Sequence, residues 1–534
     1  MNEEFRNQYY QIEAQKYLQE KLGNSVWIQV SGHKKINKSE AGFWCGFVSK
    51  DYSRNCFDDF SWDIDMQSGF PGFEMNGNGT EYKAKSVDEG FEPLLYYREF
   101  YGAATDYVEV SQEFILLNNL RYDKKHNAYY AMYTSGETEE AIKYIDSCTI
   151  EINTRFLLNY AAAKQLDILI EYDIRTKLPG LLSDYDLKKF SEVKKTGQVI
   201  YSISGDEYRI PNTVFSRILG KKVIESDSVE KCGFWPYESQ KQYEEFIIGT
   251  EKGQPILYTC NPERLGNYFG ANPEAPHYLT PVFFSREVLQ KYYSKPELYT
   301  IRDGYLDCQS LWGIEIDNHH KDLVSVYLGD LGRDLPESEQ KHWKLYNIQT
   351  DEQLSAVSFG RDILNCFMDS NIIEHQFKRD YKQLNELWVK AYGWPLYLEL
   401  KDGDMYTLNQ IRRPLNESQM EFDQLVLMLC KLVIDSLNEK RISSELNAID
   451  SDTKGISKLE QWLSEHEVAQ YEEHIRFLRD LWELRSSGSG HRKGRQYKKV
   501  TDRFGISEMN LPDAYDEILS KTDSYLKFMM NVAS

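Results

Sequence analysis

The hydrophobic pattern of this 534-residue chain changes period once, near residue 350, and that change narrows the folds open to it. Before it, short runs rich in Val, Ile, Tyr, Phe and Trp alternate with breaks bearing Gly, Pro or Asn. They include SVWIQV (25–30), GFWCGFV (42–48) and QLDILIEYDI (165–174), followed by QVIYSIS, EEFIIGT, PILYTC, LWGIEID and DLVSVYLG. Runs of this length and composition predict strands. PVFFSREVLQKYY, 281–293, reads as the clearest helix of this part. After it, apolar residues recur at helical spacing. Ser418 to Glu421 forms a capping box ahead of Phe422, Leu425, Leu429, Leu432 and Val433. A second helix runs from about Tyr471 to Arg485 with Ile475, Leu478 and Trp482 on one face. A third, 511–530, has Pro512 in its first turn and turns Ile518, Tyr525 and Met529 inward.

A chain of this length exceeds what one hydrophobic core serves. The expectation is a multidomain α+β protein: a mixed α+β domain at 1–180, a second mixed α+β domain at 181–350, and an antiparallel helical bundle at 351–534. Within the first domain, YVEVSQEFILL (107–117) and TIEINTRFLL (149–158) echo each other. Each reads as a short strand, a capping residue (Ser111 or Asn153) and an apolar helix.

The formal charge of −21 excludes a protein that coats nucleic acid or membrane with its whole surface, though not one with a single basic site. The eight cysteines stand singly with no CxxC pair, which fits a reducing compartment and neither a disulfide framework nor a zinc module. The longest apolar stretch, Leu425 to Ile434, is ten residues and contains Lys431, so no membrane span is expected. The polar, helix-like N-terminus does not read as a secretory signal, and the expected location is the cytoplasm.

One basic segment stands out from the acidic background: LRSSGSGHRKGRQYKKV, 484–500. Arg485 follows the stripe of the second helix by three residues. Ser and Gly residues then break the helix, and His491 opens a new segment. Arg492, Lys493, Arg495, Lys498, Lys499 and Arg503 follow, opposed only by Asp502. That density of cations suits phosphate binding. The residue types also suit attack of a ribose 2′-hydroxyl on the adjacent phosphate. An imidazole can move the protons, and a guanidinium can stabilise charge on the phosphoryl oxygens.

Here the sequence resembles the HEPN superfamily, in particular Apea-like and abortive-infection-type HEPN domains. Their signature is an Arg, a polar residue, a few more residues and a His at the last elbow of a helical bundle. Arg485, Ser486 and His491 match it, and the resemblance covers roughly residues 400–534. The family more often has Asn, Asp or His directly after the Arg, where this chain has Ser486. The resemblance implies a metal-independent endoribonuclease that needs no cofactor. Its catalytic residues would be Arg485, His491 and Ser486, with RNA held by Arg492, Lys493, Arg495, Lys498, Lys499 and Arg503. It further implies a homodimer through the C-terminal bundle, a bacterial antiphage or toxin-type role, and an N-terminal region that senses a trigger, such as a phage-derived protein or nucleic acid. The alternative is an inactive HEPN scaffold that dimerises and recognises a partner.

Other candidates compete with plainer readings. Arg121 and His126 repeat the spacing, but the intervening YDKK reads as a solvated turn. His319 and His320, near Glu315 and Asp317, resemble metal ligands; however, neighbours on a strand point to opposite faces, and a polar turn is the preferred reading. Glu399 and Lys401 form an E-x-K step, with Asp380 upstream, as in PD-(D/E)xK metal-dependent nucleases. FPGFEMNGNGT (70–80) has neither the P-loop nor the dinucleotide-binding spacing.

Overall fold

The computed structural model describes residues 2–63, 71–77, 79–83, 90–207, 210–364, 366, 368–447, 453–488 and 494–534. The chain forms two compact units. One comprises Met1–Tyr133 and Glu137–Gln240; the other comprises Thr134–Gly136 and Lys241–Ser534.

The first unit is organised by an antiparallel sheet of eleven strands. These are β1 (Trp27–Ile36), β2 (Ser39–Ser49), β3 (Phe91–Pro93), β4 (Leu120–Asp123), β5 (Ala128–Met132), β6 (Thr138–Tyr144), β7 (Ile150–Asn153), β8 (Leu166–Pro179), β9 (Phe190–Thr196), β10 (Val199–Glu207) and β11 (Thr213–Ile224). Their spatial order is β9-β10-β11-β8-β2-β1-β7-β6-β5-β4, with β3 paired to β2 where β1 has left it. The central strand β8 explains the arrangement. Its Ile168, Ile170, Tyr172 and Ile174 lie in one core with Phe43, Phe47 and Tyr160, while Leu169 packs on the opposite face with Val48, Phe91 and Val223. Alternation with period two therefore buries both faces, and each fully buried apolar side chain contributes about 1.5–3 kcal/mol. Helix α1 (Thr154–Lys164) is started by Asn153, whose side chain accepts from the Arg155 amide at 3.1 Å. The domain boundary expected near residue 180 falls inside this sheet, because β9, β10 and β11 continue the ladder from β8.

The second unit begins with a hairpin, β12 (Glu245–Glu251) and β13 (Gln254–Thr259). A two-stranded pair follows, β14 (Pro281–Ser285) with β18 (Leu323–Tyr327), and a three-stranded meander of β15 (Thr300–Arg302), β16 (Tyr305–Cys308) and β17 (Trp312–Glu315). The helix expected over 281–293 is a strand for its first five residues. Val282 and Phe284 alternate into a core with Trp343, and helical turns start only at Arg286. Period two outweighed the helical reading of the same apolar residues.

The long helices start at Ile373: α2 (Ile373–Tyr392), α3 (Gln419–Cys430, continued by a π-turn over Lys431–Asp435), α4 (Gly455–Glu465), α5 (Tyr471–Gly488), α6 (Arg495–Phe504) and α7 (Leu511–Val532). Phe422, Leu425, Leu429, Leu432, Val433, Ile518, Tyr525 and Met529 are buried as their spacing predicts. Ser418 caps α3, accepting from the Glu421 amide, but Glu421 turns to Arg412 at 2.6 Å rather than back to the cap. The protein is thus an α+β mixture with a helical C-terminal region, and no described helix is long and apolar enough to cross a membrane.

Candidate functional site

The C-terminal elbow is set by the end of α5. Its core face is Ile475, Leu478, Leu481 and Leu484, whereas Trp482, expected inward, is 46% exposed. Arg485 lies in the last turn. Its side chain is 17% exposed and its Nη1 donates to Asp435 Oδ2 at 2.5 Å, at the end of the π-turn after α3. The Ser486 hydroxyl donates to the Glu483 carbonyl at 3.1 Å, and Ser487 does the same at 2.7 Å. These are local side-chain back-bonds to a carbonyl of the preceding helical turn. His491, Arg492 and Lys493 lie outside the described residues.

On the far side of the elbow, Tyr497 of α6 approaches Gly488 to 3.2 Å from where a Cβ would stand, and its hydroxyl accepts from Gln419 at 3.2 Å. Helix α6 buries Val500, Thr501 and Phe504 and leaves Arg495, Lys498 and Lys499 exposed. Arg503 behaves differently. It is ion-paired with Asp480 and, at 2.7 Å, with Glu483, so its charge is committed to α5.

A second constellation was not assembled by sequence reasoning. It sits around a cavity of about 340 Å³ whose lining includes Asp303, Glu315, Asp317, His319, Tyr327 and Asp362. Asp303 and Gly304 are the two-residue turn between β15 and β16, with Gly304 at φ +79°, where an Asp-Gly pair is at home. Asn318 holds this turn by accepting from the Gly304 amide at 3.1 Å. Asp317 is fixed by a backbone bridge to Ser325 and by the amide and hydroxyl of Ser355, both at 2.8 Å. His319 lies between the two carboxylates: Nδ1 is 3.0 Å from Asp317 Oδ1 and Nε2 is 2.6 Å from Asp303 Oδ1. Arg361, in a π-turn over Phe359–Ile363, grips Asp303 with two bonds of 2.8 and 3.0 Å. His375, in the first turn of α2, brings Nδ1 to 3.7 Å from the same Asp303 oxygen and 2.9 Å from the Ser370 hydroxyl.

The electrostatics of this cavity are divided. Burial opposes charge on Asp303 and Asp317. It is outweighed by bonds from His319 and Arg361 to Asp303 and from His319, His320 and Ser355 to Asp317, so both carboxyls lie well below the usual range. Burial likewise opposes a charged His319, yet its two carboxylate partners raise its pKa. Burial pushes His375 down to about 4 and raises Glu315 and Asp362. Carboxyls driven in opposite directions around one cavity mark a candidate functional site.

The polar turn read at His319 and His320 is present, but it is packed inward and the strand argument used against a shared ligand does not hold. Residues 316–322 are not a strand, so the argument from opposite faces does not apply; His319 is 1% exposed, and both rings approach Asp317. Glu399 and Lys401 likewise do not sit on a strand. They follow an isolated bridge between Tyr397 and Leu437, while Asp380 is buried in α2 against Lys527. Of the YDKK read as a turn between Arg121 and His126, Tyr122 and Asp123 end β4 and the turn starts at Lys124, with His126 3.0 Å from Asp123.

Compared with protein-family models, curated proteins and solved structures, the chain has no significant match in any of the three.

Proposed function

We propose that the C-terminal bundle is a HEPN-like, metal-independent endoribonuclease whose centre is Arg485, Ser486 and His491. The observation that carries this reading is the position of Arg485. It stands on the last turn of a core helix, held by Asp435, directly before the segment that contains His491 and ahead of the exposed cations of α6. In the proposed reaction the 2′-oxygen attacks phosphorus and the bond to the 5′-oxygen breaks. One imidazole accepts the 2′-hydroxyl proton, and a second group returns a proton to the leaving oxygen. Arg485 stabilises the charge on the non-bridging oxygens, and Ser486 is a hydrogen-bonding neighbour. One copy of the motif supplies one imidazole, so two copies across a two-fold axis would complete the acid–base pair; the proposal includes a homodimer through the bundle. Arg492, Lys493, Arg495, Lys498 and Lys499 would guide RNA to the centre. Arg503 would instead brace α6 against α5. The N-terminal unit would sense a trigger in a bacterial antiphage or toxin-type system.

The Arg485–Asp435 ion pair also suits a second reading, in which the motif is structural and the bundle dimerises to recognise a partner. Cleavage of single-stranded RNA in EDTA, with products carrying 2′,3′-cyclic or 3′-phosphate ends, supports the nuclease. Cleavage that strictly requires a divalent metal contradicts it, and no cleavage under any condition leaves the scaffold.

A further inference from the structure

The elbow leaves unused the polar cluster at the cavity, and we propose that Asp303, His319 and His375 are the protein ligands of one divalent transition-metal ion of the Zn²⁺ class. This inference is independent of the ribonuclease reading.

Three distant segments of the chain meet here: the β15–β16 turn, the loop after β17 and the first turn of α2. One ligand atom from each residue lies within 4.8 Å of the others. Two histidines and a carboxylate are the donors that a borderline divalent ion selects, and three protein ligands leave a further position for water or substrate.

The surroundings of the ligands carry the argument further. A metal-bound histidine usually donates its remote N–H to a carboxylate or carbonyl, which fixes the tautomer and the ring. His319 presents Nε2 to Asp303 while its Nδ1 faces the buried carboxylate of Asp317 at 3.0 Å. His375 presents Nδ1 to the same Asp303 oxygen, and its Nε2 faces the buried Glu374 at 3.5 Å. Glu374 is in turn held by Arg286 at 2.5 Å and by the Arg413 amide at 2.7 Å. Arg361 orients the third ligand, Asp303, through both of its oxygens.

A proton shared between His319 and Asp303 would account for that single contact. It would not account for a second imidazole converging on the same oxygen, or for a carboxylate behind each ring. Metal bonds of about 2.0–2.1 Å require the three ligand atoms to stand about 3 Å apart. That calls for an opening of the 2.6 Å contact, a closing of the 3.7 Å one and an approach of the two ring nitrogens from within 4.8 Å, with the ion replacing the Ser370 hydrogen bond to His375. Asp303 and His319 also line the cavity, so the remaining coordination position would face a space sized for a small ligand.

The test uses the full chain, stripped with chelator and titrated with ZnSO₄ and separately with CoCl₂. We expect one equivalent of Zn²⁺. We expect a Co²⁺ visible spectrum of nitrogen and oxygen ligation without thiolate-to-metal charge transfer, which separates this site from the exposed Cys366. His319→Gln and His375→Gln should each lose that equivalent with far-UV circular dichroism unchanged. Asp317→Asn keeps all three ligands and should weaken Zn²⁺ about 10- to 100-fold. The proposal is overturned if stripped wild type takes up no Zn²⁺, if the folded His319→Gln and His375→Gln variants bind as wild type does, or if the Co²⁺ spectrum reports thiolate ligation. RNA cleavage does not enter these readouts, so failure here leaves the ribonuclease reading standing, and failure there leaves this one.

Discussion

The elbow at Arg485 and the cavity at His319 both set a nitrogen-bearing side chain against carboxylate, and they do so at different depths of burial. At the elbow, the Arg485 guanidinium meets the Asp435 carboxylate, with side chains 17% and 46% exposed. In the cavity, an imidazole that is 1% exposed bridges two carboxylates, one of them also gripped by Arg361. A partly wetted pair contributes about 0–1 kcal/mol, so a phosphate can displace Asp435 from Arg485 at small cost. At the buried side of the cavity, His319 and Asp317 have little water to fall back on, and removing one leaves the other uncompensated. The elbow pair is therefore the cheaper of the two to break, and the contacts of His319 with Asp317 the costlier.

Substitutions can break this contrast. The largest expected effect is on rate. His491→Ala should lower RNA cleavage about 10²- to 10⁴-fold, the usual scale of a general acid or base, with the melting temperature unchanged. A melting temperature that falls with the activity would make the elbow structural. Next is Glu374→Ala, which strands the Arg286 guanidinium, itself only 3% exposed. It should cost about 3–5 kcal/mol in denaturant unfolding of the full chain. A cost below 1 kcal/mol would show that the buried network behaves like a surface pair.

Smaller effects sharpen the contrast. Asp435→Ala should destabilise by no more than about 1 kcal/mol, because its pair with Arg485 is partly exposed, and it should leave RNA affinity equal or tighter. Weaker RNA binding would mean that Asp435 positions the arginine rather than occupying it. Lys498→Ala with Lys499→Ala should leave stability unaltered and reduce the slope of log affinity against log salt by about 1 per residue. An unchanged slope would remove α6 from the RNA path.

The two regions also differ in how far a sequence exposes them. The elbow is local. Helix stripe, Ser-Gly segment and basic flank all fall between Tyr471 and Arg503; α5 starts where the stripe predicts but runs past Arg485 through Ser486, Ser487 and Gly488, and the helix α6 was not part of the sequence reading. Even so, Trp482 was placed on the wrong side of α5, since Leu481 and Leu484 continue the buried face and a tryptophan a position away looks equally apolar in a string. The cavity is assembled by tertiary contacts between residues 303, 317–319 and 375. Asp303-Gly304 is legible as a turn, and nothing local says that this turn closes onto α2. The period-two runs gave β8, β10, β12 and β18 directly, because Ile168, Ile170, Tyr172 and Ile174 alternate strictly. Residues 281–285 were misread because VFF fits either period until its partner strand, Leu323–Tyr327, is known.

The central claim is that RNA is cut at the elbow, without metal, and not at the cavity. The most direct test compares cleavage of single-stranded RNA in excess EDTA by wild type, His491→Ala and His319→Gln. The account predicts cleavage by wild type and His319→Gln and a rate about 10²- to 10⁴-fold lower in His491→Ala. Cleavage at the wild-type rate in His491→Ala, or cleavage that needs added Zn²⁺ and disappears in His319→Gln, would contradict it.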